Sequence, residues 1–407
     1  MKITQKILNI YHATALMLLN IIVSIFIINF ILFLGFELKD YLLSPQNGNP
    51  VTGKYSSPAL KKIYPQLNDE GINDLLLETW SRPYLYETFT LFKEAPYRGH
   101  YVNVDKEGFR LTKNQGPWPP EAKNLNIFLF GGSTTFGYGL PDDQTIASYL
   151  QEFMVNKLNQ AVCVYNFARG SYYSQQERIL FEKLLISGFI PDLAIFVDGF
   201  NEFYLSDNRP AFSDRFEHFF IERKQGKVSI DFKLIDRLPM IRLAKFIKHQ
   251  LQASQNKPDK INVTNNAMNY NDNKKLADQN INKSDVIKVI DRYLQNKKMT
   301  EAIAKAYAVK TVFVWQPVSS YKYDLSYHLF ASTSLLDNYL KYGYTTMEGF
   351  VENKSLGKNF LWIADMQENL QKPLYVDKVH YSAEMSEMLA VNIGNLLMDR
   401  NLLKEIR

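Results

Sequence analysis

Ser133 sits in the stretch Gly131-Gly132-Ser133-Thr134-Thr135-Phe136-Gly137, where the apolar run from Asn126 to Phe130 gives way to a glycine-rich turn. A serine so placed can belong to a phosphate loop, act as a nucleophile, or simply help the chain turn. A phosphate loop requires G-x-x-x-x-G-K-[ST], and although Gly132 and Gly137 have that spacing, Tyr138 stands where the lysine should reach the phosphates. A nucleophile elbow requires G-x-S-x-G, and Thr135 replaces its second glycine. The stretch alone therefore reads as a turn. A serine that attacks an acyl carbon also needs a base, a group that orients the base, and donors for the developing oxyanion.

The rest of the chain offers candidates for each. Of six histidines, His380 has a carboxylate at a useful offset, in Asp377-Lys378-Val379-His380. One turn of loop can aim Asp377 at Nδ1 and leave Nε2 for a hydroxyl. His12 lies by the apolar N-terminal segment, and His100, His218, His249 and His328 have no such register. Asn201 follows the apolar run that ends at Val197, with Gly199 allowing the chain to turn. Gly170 and Ser171 stand in the turn before a helical pattern, where backbone N–H groups can face an anion. Each feature has an ordinary turn explanation by itself, but together they supply nucleophile, oxyanion donors and base.

The four blocks, "FGGSTTFG", "NFARGSYYSQQE", "GFNE" and "DKVH", resemble those of the SGNH hydrolase superfamily, the GDSL-like esterases and lipases, in the same order. The resemblance extends from about Leu125 to Leu403, less an insertion. It implies a three-layer α/β/α flavodoxin-like domain with a parallel sheet and a serine esterase activity that needs no metal or other cofactor. Ser133 matches the nucleophile, and His380 with Asp377 the base and its orienting carboxylate. The Ser133 N–H, an N–H at Gly170 or Ser171, and the Asn201 amide match the oxyanion hole. The implied substrates are esters, such as acetyl groups on cell-surface or capsular glycans, or lipid esters. Transfer of the acyl group to a sugar hydroxyl would use the same residues. A non-catalytic glycan-binding or assembly protein is the reading from another class, and the complete residue set argues against it. Two positions depart from the pattern: Glu202 replaces the usual aspartate, and Ser171 stands five residues after Asn166, where glycine is common.

These residues must be carried by a scaffold, and the sequence alternates accordingly. Apolar, β-branched or aromatic runs at Leu125–Phe130, Val162–Phe167, Leu193–Val197 and Thr311–Trp315 are each followed by a helical pattern, which predicts βα units and a parallel sheet. Ile146, Tyr149, Leu150, Phe153, Met154 and Leu158 share one helical face. Ser174 and Glu177 have the spacing of a capping box, and Ser284 is the expected cap of a later helix. A final amphipathic stretch begins at Ser382.

The 407 residues, 46% hydrophobic and 22% charged, are of globular composition, and a formal charge of +5 without a basic-aromatic module argues against nucleic acid as a partner. With Cys163 as the single cysteine, neither an intramolecular disulfide nor a CxxC pair can form. The 24 residues from Ala13 to Phe36 carry no formal charge, and at about 1.5 Å rise each they exceed a hydrocarbon core of about 30 Å. The run is longer than the apolar core of a cleaved signal peptide, so residues 13–36 are expected to be a signal anchor. Lys2 and Lys6 precede it, which predicts a cytoplasmic N-terminus of residues 1–12 and a periplasmic or extracellular remainder. Asn20 and Asn29 within the span can bond to a partner helix or be tolerated singly, and the oligomeric state stays open. Residues 37–120 are expected to form an accessory segment, followed by the main domain at 121–407 with an insertion at about 203–283. The Asn- and Lys-rich part at 254–283 has few large apolar residues and is expected to be mobile. The basic stretch from Leu238 to Gln252 is expected to pack on the domain or to contact anionic lipid.

Overall fold

The computed structural model describes residues 2–43, 57–213, 283–331 and 335–403, together with single positions at 217, 239, 241 and 243. Most of the insertion, its Asn- and Lys-rich part and nearly all of the basic stretch lie outside the described residues.

The chain divides into two units. In the first, the described structure is dominated by one helix, α1 (Lys2–Leu43), whose segment Gln5–Phe36 has a mean hydropathy of 2.7 and is long and apolar enough to cross a membrane. Its large apolar side chains are exposed, and Asn29 donates its amide to Ile25 O of the same helix at 2.8 Å.

The second unit begins with two short helices, α2 (Ser57–Ile63) and α3 (Asp69–Trp80), and two small antiparallel pairs, β1 (Tyr84–Glu87) with β2 (Leu91–Glu94) and β3 (Tyr97–Arg98) with β4 (Asn103–Val104). A βα alternation follows: β5 (Leu125–Gly131), α4 (Ser133–Phe136), α5 (Ile146–Leu158), β6 (Val162–Asn166), α6 (Ser174–Ile186), β7 (Leu193–Asp198) and α7 (Phe200–Tyr204). Beyond the undescribed stretch come α8 (Lys283–Ala306), β8 (Lys310–Trp315), α9 (Leu335–Asn353), β9 (Phe360–Trp362) and α10 (Ala383–Asp399).

Strands β5 to β9 form one parallel sheet in the order β6-β5-β7-β8-β9. In chain order this is 2-1-3-4-5, the flavodoxin-like arrangement, whose topological switch lies between β5 and β7. The four sequence-read strands are present, with ends shifted by a residue, and the short β9 completes the sheet.

Side chains alternate between two different faces. Phe128, Phe130, Tyr165, Phe196, Phe313 and Trp315 point to the side covered by α6, α8 and α9, where Phe130, Phe196 and Phe313 stack in a row at 4.8 and 5.3 Å. Ile127, Leu129, Val164, Ile195, Val197, Val312 and Val314 point to the side covered by α5 and α10. Both faces are thus buried, as a parallel sheet requires, and the three-layer α/β/α architecture is the one expected.

Two helix starts differ from the sequence reading. Ser174 is the first residue of α6 rather than its cap: Tyr173 takes the cap position, the Ser174 N–H goes to Glu202 Oε1 at 2.7 Å, and Glu177 is buried away from the helix end instead of closing a capping box. Lys283 already belongs to α8, so Ser284 lies inside that helix.

Candidate active site

Ser133 begins α4, a helix of four residues that starts as soon as β5 ends. Thr135 crowds the backbone there, since a Cβ on Gly131 would lie 2.3 Å from Thr135 Oγ1. A Cβ on Gly132 would lie 2.3 Å from Asn201 Nδ2, so the strand-to-helix turn leaves the Asn201 amide in place only because position 132 is glycine. Asn201 is the second residue of α7, just past the end of β7. Gly199 precedes it with φ of 136°, and a Cβ there would meet the Tyr344 hydroxyl at 2.3 Å. Ser133 and Asn201 therefore flank the topological switch at the carboxyl edge of the sheet, where open α/β sheets bind their ligands.

His380 reaches the same edge from a loop ahead of α10. That loop is closed by a short antiparallel bridge between Tyr375 and Tyr381, with Val376 N–H donating to His380 O at 2.8 Å. Asp377 Oδ1 accepts the N–H groups of Val379 and His380, both at 2.8 Å, and its Oδ2 lies 2.7 Å from His380 Nδ1. On the other side of the ring, Nε2 lies 2.8 Å from Ser133 Oγ. Burial pushes the Asp377 carboxyl up, but attraction to His380 and these three hydrogen bonds outweigh it and hold the group below the usual carboxylate range. Asp377 is thus an anion aligned with one ring nitrogen, and the serine hydroxyl with the other. Gln316, just past β8, ties the two loops together: its Oε1 accepts Thr134 Oγ1–H at 2.7 Å and the Tyr381 hydroxyl at 3.1 Å.

The turn after β6 brings in the remaining candidates. Gly170 N–H is aimed at Glu94 Oε1, 3.4 Å away. Ser171 has a left-handed φ of 59°, a conformation that favours glycine, and among the described residues its N–H and that of Ser133 make no hydrogen bond. Asn201 Nδ2 donates one hydrogen to Tyr172 O, leaving the other. Of the two N–H groups between which the sequence could not choose, that of Ser171 is the unengaged one.

Several residues around the site had no motif to announce them. The Tyr138 ring stacks on His380, and Trp80 approaches the same imidazole edge-on at 5.3 Å between centroids. Tyr138 donates its hydroxyl to Glu94 Oε1 at 3.0 Å and lies 2.7 Å from the Tyr84 hydroxyl. Arg82 pairs with Glu94 at 3.3 Å, both side chains being only 1% exposed. Helices α2 and α3 share a core with Phe136, Tyr138, Leu140 and Val376, so the segment before the sheet builds one wall of the site. His328, without a register in the sequence, lies against the His380 loop: Nδ1 accepts Phe330 N–H at 3.2 Å, and Nε2 faces Lys378 O at 3.4 Å. Burial lowers its pKa, which agrees with a neutral ring in that position.

No protein-family model matches the chain, and no curated protein does. Solved structures do. A lipolytic protein of the G-D-S-L family from Desulfitobacterium hafniense DCB-2 is 12% identical, with 67% of this chain and 100% of that chain covered and a TM-score of 0.34. An acylhydrolase from Bacteroides fragilis is 13% identical, covering 72% and 92% with a TM-score of 0.34. The acetylxylan esterase Axe2 from Geobacillus stearothermophilus is 10% identical, covering 68% and 93% with a TM-score of 0.33. The chain is similar to hydrolases of esters. At these identities the residue roles must rest on the geometry of this chain.

Proposed function

We propose that this chain is a membrane-anchored serine ester hydrolase of the SGNH type whose globular part lies outside the cytoplasm. The supporting observation is the alignment of Ser133 Oγ, His380 and Asp377, with the serine and histidine 247 residues apart in the chain. In this reading His380 Nε2 takes the Ser133 proton as Oγ attacks the ester carbonyl, then returns it to the departing alkoxide. Asp377 holds the imidazole in the tautomer with Nδ1 protonated and stabilises the imidazolium. The N–H groups of Ser133 and Ser171 and the free hydrogen of the Asn201 amide would receive the oxyanion, each donor being worth on the order of 3 kcal/mol in the transition state. Water then releases the acyl group with His380 acting again as base.

Helix α1 supplies the anchor, and Lys2 and Lys6 ahead of the apolar run orient its N-terminus to the cytoplasm. An enzyme held there meets acyl esters of cell-surface glycans or lipids. Acyl transfer to a sugar hydroxyl, which would use the same Ser133, His380 and Asp377, is the second reading.

The test is covalent labelling of the detergent-solubilised full chain with a fluorophosphonate, beside Ser133→Ala. Labelling of the wild type alone is expected, and equal labelling of the alanine variant would remove Ser133 as nucleophile. An acetylated glycan, offered with and without an acceptor sugar, then separates hydrolysis from transfer by the fate of the acetyl group.

A further inference from the structure

Arg110 lies outside every motif, yet its side chain is completely buried beside the helix that begins with Ser133. Its guanidinium donates through Nη1 to Phe136 O at 3.0 Å and Gly137 O at 2.7 Å, through Nη2 to Leu140 O, and through Nε to Asp142 Oδ1 at 2.9 Å. The Arg110 N–H donates to Asn166 O at 2.9 Å, which pins its backbone to the end of β6. Asn166 in turn donates its side-chain amide to Thr135 O at 3.1 Å.

A helix of four residues cannot satisfy its own last carbonyls. Here they are buried, and an external donor must replace the missing turns. A guanidinium fork suits this: it is planar, carries its donors in fixed directions, and does not lose its charge when buried. Asp142 fixes the Nε side of the fork, and Asn103 N–H and Nδ2 hold Asp142 at 3.1 and 2.8 Å. The chain of contacts thus runs from the β3–β4 pair through Asp142 and Arg110 to the turn whose first residue is Ser133.

We propose that Arg110 is a positioning residue for the nucleophile: it holds the Ser133–Leu140 turn so that Ser133 Oγ meets His380 Nε2 and the Ser133 N–H faces the oxyanion. This rests on the hydrolase reading above. The segment ahead of the sheet is then part of the catalytic apparatus.

The experiment compares fluorophosphonate labelling rates and ester turnover of the full chain for wild type, Arg110→Lys and Asp142→Asn, with amide hydrogen exchange on each. Lysine keeps the charge and loses the fork. Labelling and kcat of Arg110→Lys should fall about tenfold or more, since small misplacements of reacting groups carry large rate costs. KM should move less than about threefold, because substrate contacts are not removed. Faster exchange should be confined to peptides covering residues 133–140. A labelling rate equal to wild type would overturn the proposal, as would a loss accompanied by faster exchange throughout the sheet. If Arg110→Lys does not fold, Asp142→Asn carries the test, slower labelling supporting the proposal and a wild-type rate overturning it. A wild type that does not label at all would instead overturn the hydrolase reading.

Discussion

The ring of Tyr138 lies nearly parallel to that of His380, with centroids 5.4 Å and planes 19° apart. Trp80 closes the imidazole from its edge, so the His380 ring is held by aromatic surfaces as well as by Asp377. Tyr138→Leu should leave the ring free to turn from Ser133 and lower kcat by about tenfold or more. Tyr138→Phe keeps the stack but takes a donor from the buried Glu94, and should cost about 1–3 kcal/mol of stability with kcat within about threefold. Steady-state kinetics and thermal melts on both variants separate these effects; wild-type kcat in the leucine variant would reduce the stack to packing.

Asp377→Asn preserves the shape of the loop and removes its charge. By the logic of the Ser-His-Asp triad, kcat should drop on the order of 10³–10⁴-fold, because the imidazole loses the partner that fixes its tautomer. The native pKa of Asp377 is below its unfolded value, so its stabilising contribution is present above the ordinary carboxylate range and is lost as pH falls through the native value. Acid unfolding of the asparagine variant should therefore be less steep than that of wild type. Melting temperatures taken at intervals below pH 6 check the sign.

Gly132 has an ordinary φ of −85°, so alanine strains no backbone there, yet its methyl would displace the Asn201 amide. Gly132→Ala should lower kcat by about 10²-fold with a smaller change in KM, the expected signature of losing an oxyanion donor. Ser171→Gly relaxes a left-handed backbone and keeps the N–H, and should leave kcat within about threefold. A large loss in the glycine variant would mean that the Ser171 side chain takes part in the reaction.

The parallel sheet was legible because each strand is a short apolar run whose two faces are both buried, and the helix at Ile146–Leu158 because its apolar stripe keeps helical spacing. Chain order also displayed Ser133, Asn201 and the Asp377–His380 pair, since each follows a strand or precedes the last helix. Strand β9 was not legible: three residues, Phe360–Trp362, show no period. The capping box at Ser174 failed because a distant carboxylate, Glu202, captured the serine N–H, while burial drew Glu177 elsewhere. Arg82, Glu94, Arg110 and Tyr138 act through contacts across long stretches of sequence, and no local pattern encodes such contacts.

The same burial makes Glu177 a source of pH dependence. Glu177, Asp198 and Glu202 lie together inside the domain, with Arg292 3.8 Å from Glu202. Burial pushes Glu177 and Asp198 well above the usual carboxylate range; repulsion from Asp198 and Glu202 adds to it at Glu177, and repulsion from Glu202 adds to it at Asp198. The folded chain thus keeps a proton that the unfolded chain releases above about pH 4. Because the native state then binds more protons, stability should fall as pH rises through this interval, by at most about 1.4 kcal/mol per pH unit for one proton. Glu177→Gln is neutral at every pH and nearly keeps the shape of the buried side chain. Its stability should decline less between pH 5 and 8 than that of wild type, and the two curves should separate most at the alkaline end. Denaturant unfolding followed by tryptophan fluorescence at several pH values measures this slope; parallel curves would show that the proton resides elsewhere.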